Sequence, residues 1–493
     1  MLGLLLRCFG GPSLVSRVLS EAEIEPIKKV NCEGNLPVSL NQEKRLLTEE
    51  LRCLNLTRHY PPFNFTLALS LEGVVNATEI EIALNRVIIR HAVLRAAFFP
   101  ADDLAPQERQ ERLRIYSKTG AIVQGLYKQA VVPCTPLSLV VRDVHVLKSE
   151  PEDSAIARII NQERSTAFDY RRPPLMRALL LHLGSKRHLL VIVISQLVSD
   201  MQSVRILQRE WITFYENGDA KERYLPTPLS HIDFVYWQKS RLPALPDFRQ
   251  AVFFWQRQWL LLEGKELQFR DLPAASSSAP FGLGSERLTL DSDFSDRLRT
   301  FAKKENVTLY MLFLAMFDIL LHHWSGKSLI GVWTHFANRT RPETENVIGW
   351  FENVHIIGVD FEGDPSGHEL LKRVQCSVLD AMANQQLPLN YLWGTLYRCL
   401  QRSDMRITFD LITTNAEPSS ASGELRVKPI MFRGMDAGRV LKLKVYDDGK
   451  RIRLLTSCPS EFRSTVVVNT LDHLRHIAEK FLSDPGERVS NLF

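Results

Sequence analysis

The chain has 493 residues, 45% of them apolar and 24% charged, with a formal net charge of +5. That length allows two or three core-forming units of roughly 100–200 residues each, and the balance is that of an ordinary globular chain, well away from disorder. So small a positive excess, with no stretch alternating Lys or Arg with aromatics, argues against nucleic acid and would suit a weakly acidic protein partner.

The first twenty residues contain Arg7 and Arg17 and no acid. They read either as a targeting segment or as a frayed tail, and Leu2–Leu6 is too short for a secretory core. Residues 1–36 are expected to be an N-terminal tail, with folding from residues 37–47 onward. Leu67–Leu71 alternates with small or polar residues and predicts a strand. Asn76 is an expected N-cap, with Glu79 three residues later as in a capping box. The helix after it carries Ile80, Leu84, Val87 and Ile88 on one face and should end near Arg90-His91. Residues 100–130 are polar, with the run QERQERLR, and read as an insertion or an exposed helix. Leu175–Leu183 and Leu189–Ile194 flank a Gly184-Ser185-Lys186 turn and predict a hairpin of buried strands. After Asp200 the period changes: Val204, Leu207, Trp211 and Tyr215 lie at helical spacing, with Gly218 as the stop. Ser195–Gln202 is therefore a loop between a core strand and a helix, where reacting groups sit on rigid supports.

Leu225-Pro226-Thr227-Pro228 is a stiff break and the expected boundary between an N-terminal lobe, 37–225, and a C-terminal lobe, 226–493. Pro273–Gly284 is Ser/Ala/Pro/Gly-rich and reads as an exposed loop. Val307–Trp324 is apolar on all sides and closes at Gly326, which predicts a helix inside a large core. Ile330–Val332 and His355–Val359 read as strands, and Asp364-Pro365 is expected to open a helix with proline in its first turn. Similar size and mixed helix–strand order in the two halves predict two similar α/β lobes. No apolar run reaches the roughly 20 residues that span a bilayer, so no membrane partner is expected. The seven cysteines form no CxxC pair, and no His, Cys, Asp or Glu cluster has ligand spacing. No bound metal or cofactor is expected, and a reducing cytosol is the simplest setting.

Six islands then occur in a telling order. Ser39-Leu40-Asn41-Gln42 resembles SxAQ, with Asn41 for Ala. Arg90-His91-Ala92-Val93-Leu94-Arg95, followed by Phe98, resembles RHxxLRxxF. Asp233-Phe234-Val235-Tyr236-Trp237 resembles DYAxW, and Ala337-Asn338-Arg339 the ANR of GTPxANR. Ile348-Gly349-Trp350-Phe351-Glu352-Asn353 resembles IGxFVN, and Gln385-Gln386-Leu387-Pro388-Leu389 resembles HQDxPF, with Gln386 for Asp. Together, over roughly residues 37–493, they resemble the condensation domain of nonribosomal peptide synthetases. The resemblance implies an α/β fold of two chloramphenicol acetyltransferase-like lobes in a V-shaped pseudodimer with a channel between them. It implies substrates that are phosphopantetheine thioesters on acyl or peptidyl carrier proteins, supplied here in trans, and an amine or hydroxyl that attacks the thioester.

The family's HHxxxDG motif is here Ser195-Gln196-Leu197-Val198-Ser199-Asp200-Met201. Asp200 is kept, whereas both histidines and the glycine are replaced, and Gln196 holds the place of the family's active-site histidine. A glutamine amide can hydrogen-bond the attacking group but cannot take its proton, a loss typically worth about 10²–10⁴-fold. Positioning two substrates can be worth roughly 7–11 kcal/mol, so transfer to an amine can survive that loss. His335, just before Ala337, and His355, after Asn353, are either displaced bases facing the channel or hydrogen-bonded structural histidines. Ser195 lacks a neighbouring base and reads as a capping or loop serine rather than a nucleophile. The resemblance makes Asp200 architectural and pairs it with Arg339, supported by Asn338. Two functions follow: an acyl or aminoacyl transferase making amides or esters, or an inactive scaffold that docks carrier proteins or recruits a tailoring enzyme. A coenzyme A-dependent acetyltransferase of the same superfamily is a third.

Overall fold

The computed structural model describes residues 26–493 except 32, 54–61, 103, 120–123, 134, 145–150, 218–228, 263–282, 393–405, 414–424, 430–439 and 460–469. The first twenty residues, Gly218, the Leu225–Pro228 break and Pro273 to Gly282 lie outside the described residues. Leu283 and Gly284, read with that last loop, instead begin a strand.

Regular structure opens with β1 (Leu36–Pro37) and α1 (Leu40–Cys53). Packing begins earlier than expected. Ile27 is buried in one core with Phe234 and Trp237, and the Val30 amide donates to Asp233 Oδ1 at 2.8 Å. The tail expected over residues 1–36 is thus part of the fold from Ile27. β2 (Asn64–Glu72) and α2 (Ala77–Arg90) follow, and Asn76 accepts from the Thr78 and Glu79 amides as its N-cap. Ile80, Leu84, Val87 and Ile88 form the buried face of α2.

The stretch over 100–130 holds the rest of β3 (Ala96–Pro100), a largely exposed helix α3 (Pro106–Thr119) and β4 (Tyr127–Val131). β4 is not an insertion: it is the middle strand of a small sheet, paired with β1 and β3, with Tyr127 and Gln129 buried. Next come β5 (Leu139–Asp143), α4 (Glu152–Ser165), β6 (Met176–Gly184), β7 (Arg187–Ser195) and α5 (Met201–Asn217). β6 and β7 form the expected antiparallel hairpin. The second half supplies α6 (His231–Ser240), α7 (Pro246–Leu262), β8 (Leu283–Thr289), α8 (Ser292–Lys304), α9 (Leu309–Ser325), β9 (Leu329–Phe336), β10 (Asn353–Asp360) and α10 (Gly367–Ala383). β11 (Arg406–Thr413), β12 (Arg426–Pro429), β13 (Val440–Asp447), β14 (Ile452–Pro459) and α11 (Thr470–Ser483) complete it.

Two mixed sheets organise the molecule. One runs β12-β2-β7-β6-β5, and the other β10-β9-β11-β13-β14-β8. Each has its own apolar core, one built on α2 and α5, the other on α7 to α11. The halves also interlock: β12, from late in the sequence, pairs with the edge strand β2 of the first sheet. α6 likewise packs against β1 and the turn at Ala92–Arg95. α10 departs from expectation. It starts at Gly367, not at Pro365, because Ser366 and Glu369 form a reciprocal capping box that satisfies two helix-end amides. No single helix among the described residues is long and apolar enough to cross a membrane.

α9 is buried on all sides from Met311 to Leu321, and Gly326 ends it in the left-handed conformation, φ 64°. One side chain conflicts with that setting. Asp318 is 1% exposed, neither carboxylate oxygen has a hydrogen-bond partner among the described residues, and burial holds its pKa well above the usual value. A carboxyl whose folded pKa is raised favours the fold below its unfolded pKa and loses that contribution as pH rises. Asp318→Asn should therefore stabilise the protein at neutral pH by about 1–3 kcal/mol. Denaturant midpoints at pH 5 and pH 8 check this: the gap between variant and wild type should widen at the higher pH.

Candidate functional site

β7 is an unbroken apolar run because both faces of this central strand are covered. From His188 to Asp200 every residue is buried except Gln196, which is half-buried where the strand gives way to a short 3₁₀ turn. Ser195 is not available as a nucleophile: it is 2% exposed, and its hydroxyl accepts from the Leu197 amide at 3.3 Å as the cap of that turn. The turn is held at both ends of Gln196. The Gln196 amide donates to Phe63 O at 3.1 Å, and Gln42 Nε2 donates to Leu197 O at 2.8 Å. Gln42 is itself fixed by the Ser39 amide, which donates to its Oε1 at 2.9 Å. The opening SLNQ island thus acts as a clamp on the motif loop.

Asp200 and Arg339 meet as an ion pair. Arg339 Nη2 lies 3.0 Å from Asp200 Oδ1 and 3.1 Å from Oδ2, with both side chains almost wholly buried. The Ser203 amide and hydroxyl also reach Asp200 Oδ1, each at 2.7 Å. The Phe351 amide donates to Oδ2 at 3.1 Å. Arg339 Nη1 donates to Thr344 O and Val347 O, and its guanidinium lies over the Phe351 ring, 4.2 Å from the centroid. Asn338, at φ 52°, donates from Nδ2 to Phe351 O at 3.0 Å. The ANR island therefore holds the IGWFEN island against the degenerate motif. The RHAVLR island supports the same place from behind: Arg90 Nε and His91 Nε2 reach buried Glu210 of α5 at 3.3 and 2.8 Å.

Neither candidate histidine is placed to be a base. His355 points into the core, stacked on Trp255 with ring centroids 3.9 Å apart, and burial pushes its pKa down to about 3. His335 lies on the opposite face of the sheet, its Nδ1 2.8 Å from Asp410 Oδ1. Burial pulls its pKa down, but Asp410 and Glu352 outweigh this and raise it to about 9. At neutral pH it is an imidazolium with no room for another proton.

The residue that sequence reasoning passed over is Glu352. β10 pairs with β9 in a register that sets Val354 opposite His335, so Glu352 and His335 are diagonal neighbours on one face. Asp410, Lys442 and Lys444 occupy that face on the next strands, with Asp410 opposite Lys444 and Thr408 opposite Lys442. Glu352 is half-buried, and among the described residues its carboxylate has no hydrogen bond or ion pair. Burial raises its pKa, His335 lowers it, and Asp200 and Asp410 raise it again, to about 7. The available signal was an acid where IGxFVN has valine.

A condensation-domain family description matches residues 32–493. Chondramide synthase of Chondromyces crocatus is 27% identical over 87% of this chain, which spans 10% of that protein. Other curated relatives are also long, with 2% to 12% of their length matched. The X-domain from teicoplanin biosynthesis superposes with a TM-score of 0.72 at 20% identity, covering 95% of this chain and 100% of that one. In its complex with OxyB the X-domain matches at 0.70, also at 20% identity, covering 95% of this chain and 98% of that one. The condensation domain of the monacolin K polyketide synthase matches at 0.72 and 18%, covering 93% and 99%. These likenesses establish the two-lobed α/β fold expected from the motifs.

Proposed function

Because this chain belongs to the condensation-domain family, we propose that it transfers an acyl or aminoacyl group between phosphopantetheine thioesters held on carrier proteins supplied in trans, with an amine as acceptor. The observation that carries this is Gln196. Between Ser195 and Asp200 it is the one partly exposed residue in a segment that is otherwise buried and pinned by Gln42, Asp200 and Arg339. Such rigidity suits catalysis by positioning, in which bringing two substrates together supplies most of the rate. In this mechanism the Gln196 amide orients the attacking nitrogen and does not accept its proton. The exposed Cys376 thiol fits a reducing cytoplasm as the proposed setting.

Carrier proteins loaded with acyl and aminoacyl groups, followed by mass spectrometry, test the reading. Product should form, and Gln196→Ala should slow its formation only about tenfold, or about 1.4 kcal/mol. A larger loss would mean that Gln196 does more than orient.

The second reading is a scaffold that docks carrier proteins or recruits a tailoring enzyme. Its support is the glutamine at the histidine position, together with the fold shared with an X-domain that binds OxyB. Tight carrier binding with no product from any loaded pair would move the protein to that class.

A further inference from the structure

Three contacts tie Glu352 to the degenerate motif. The amide of its neighbour Phe351 donates to Asp200 Oδ2. Asn41 Nδ2 donates to the Glu352 carbonyl at 3.0 Å, while the adjacent Gln42 holds Leu197 O on the other side. Asn41 Nδ2 also reaches Asn353 Oδ1 at 3.2 Å, and Asn390 Nδ2 donates to Asn41 Oδ1 at 2.6 Å, so the segment is fastened through Asn41 to residues on either side of it. The asparagine that replaces the alanine of SxAQ thus fastens the peptide that carries the glutamate. The Glu352 carboxylate is left unpaired among the described residues, beside a His335–Asp410 ion pair.

Granted the transfer reaction proposed above, on which this rests, we propose that Glu352 takes the proton of the attacking amine, the part Gln196 cannot play. As the nitrogen bonds to the thioester carbon, one N–H proton passes to the Glu352 carboxylate. When the C–S bond breaks, that proton goes to the leaving sulfur. A thioester and an amine become an amide and a thiol, and Glu352 is ionised again. His335 is a positioning residue: it is a cation held by Asp410, one strand away. The charged groups facing Glu352 are His335 on β9, Asp410 on β11, Lys442 on β13 and Asp200 on the motif loop. Burial is the largest influence and opposes ionisation of the carboxylate, the two cations oppose its protonation, and the two acids oppose its ionisation. The balance leaves it near half-ionised at neutral pH, where a base is most effective.

The test is the rate of amide formation against pH, with loaded carriers and two acceptor amines of different basicity, so that a limb common to both belongs to the protein. Wild type should show a limb near pH 7. Glu352→Gln should lose the limb and about 100-fold in rate, with carrier binding unchanged, and Glu352→Asp should recover part of both. Infrared difference titration of the wild type supplies a readout independent of turnover: a protonated-carboxyl band lost through about pH 7 and shifted in Glu352→Asp. The proposal is overturned, with the transferase reading intact, if wild type makes product while Glu352→Gln stays within about threefold of it, if the limb survives the substitution, or if the infrared band is missing. If loaded carriers bind and no product forms, the transferase reading falls and takes the proposal with it.

Discussion

Asp200→Ala should destabilise the protein by about 3–5 kcal/mol, because it strands a buried guanidinium. Arg339 would keep Thr344 O, Val347 O and Ser203 Oγ, but no carboxylate would balance its charge. The Ser203 and Phe351 amides would lose their acceptor as well. Arg339→Met should cost a similar amount for the mirror reason. The sharper measurement is the double variant Asp200→Ala/Arg339→Met. Replacing both partners of a buried pair is often close to neutral, so the double variant should be markedly more stable than either single one in urea unfolding. Additive losses would mean that the pair is held by its surroundings rather than by mutual charge. The same variants separate stability from chemistry: a folded double variant that has lost transfer would place the pair's value in aiming the motif loop.

Gly349→Ala is the second large expected effect. A Cβ at Gly349 would stand 2.4 Å from Cδ2 and Cγ of His231 and 2.5 Å from its Cβ. His231 cannot retreat: it is fully buried, its Nε2 lies 3.0 Å from Trp350 O, and it meets Phe351 edge-on. Overpacking of a well-filled core typically costs about 1–3 kcal/mol, and so rigid a neighbour puts this substitution near 3. Thermal melts should show the loss. Adding His231→Ala should restore part of it, so the double variant should be more stable than the sum of the single effects by at least about 1 kcal/mol. Strict additivity would refute the steric account. The glycine of the IGxFVN-like island is thus explained by close approach and not by an unusual φ.

What was legible in the sequence was what local chemistry determines. Asn76 and Gly326 mark helix ends because each suits one backbone geometry. The β6–β7 hairpin shows in two apolar runs around a short polar turn, and α9 in an apolar surface with no polar side. Asp200 and Arg339 were paired by their places in two islands, and the distance agrees. What stayed hidden depends on company. Asp364-Pro365 looked like a helix start, but Ser366 and Glu369 cap each other and take the role. β4 looked like surface because its charged neighbours mask a strand that is half-buried only once β1 and β3 flank it. His335 and His355 could not be told apart from spacing, yet strand alternation sends one to Asp410 and the other to Trp255. Glu352 was invisible as a titrating group since its pKa is made first by burial and then by His335, Asp200 and Asp410, none near it in sequence.

β12 has a consequence for how the chain acquires this shape. Val427 pairs with Leu71 and Arg426 with Glu72, so the outer edge of the first sheet is finished by residues from far down the polypeptide. During synthesis β2, β6 and β7 can assemble early, but the hydrogen-bonding groups along the free side of β2 wait for β12. Closing so long a loop adds little to its entropic penalty, since each doubling in length costs only about 0.6 kcal/mol. Such distant pairings nevertheless slow folding and come late. Until then the nascent first lobe presents an open strand edge, the feature that invites pairing with other chains. The interlock that ties the finished lobes together is also the period of greatest exposure to misassembly.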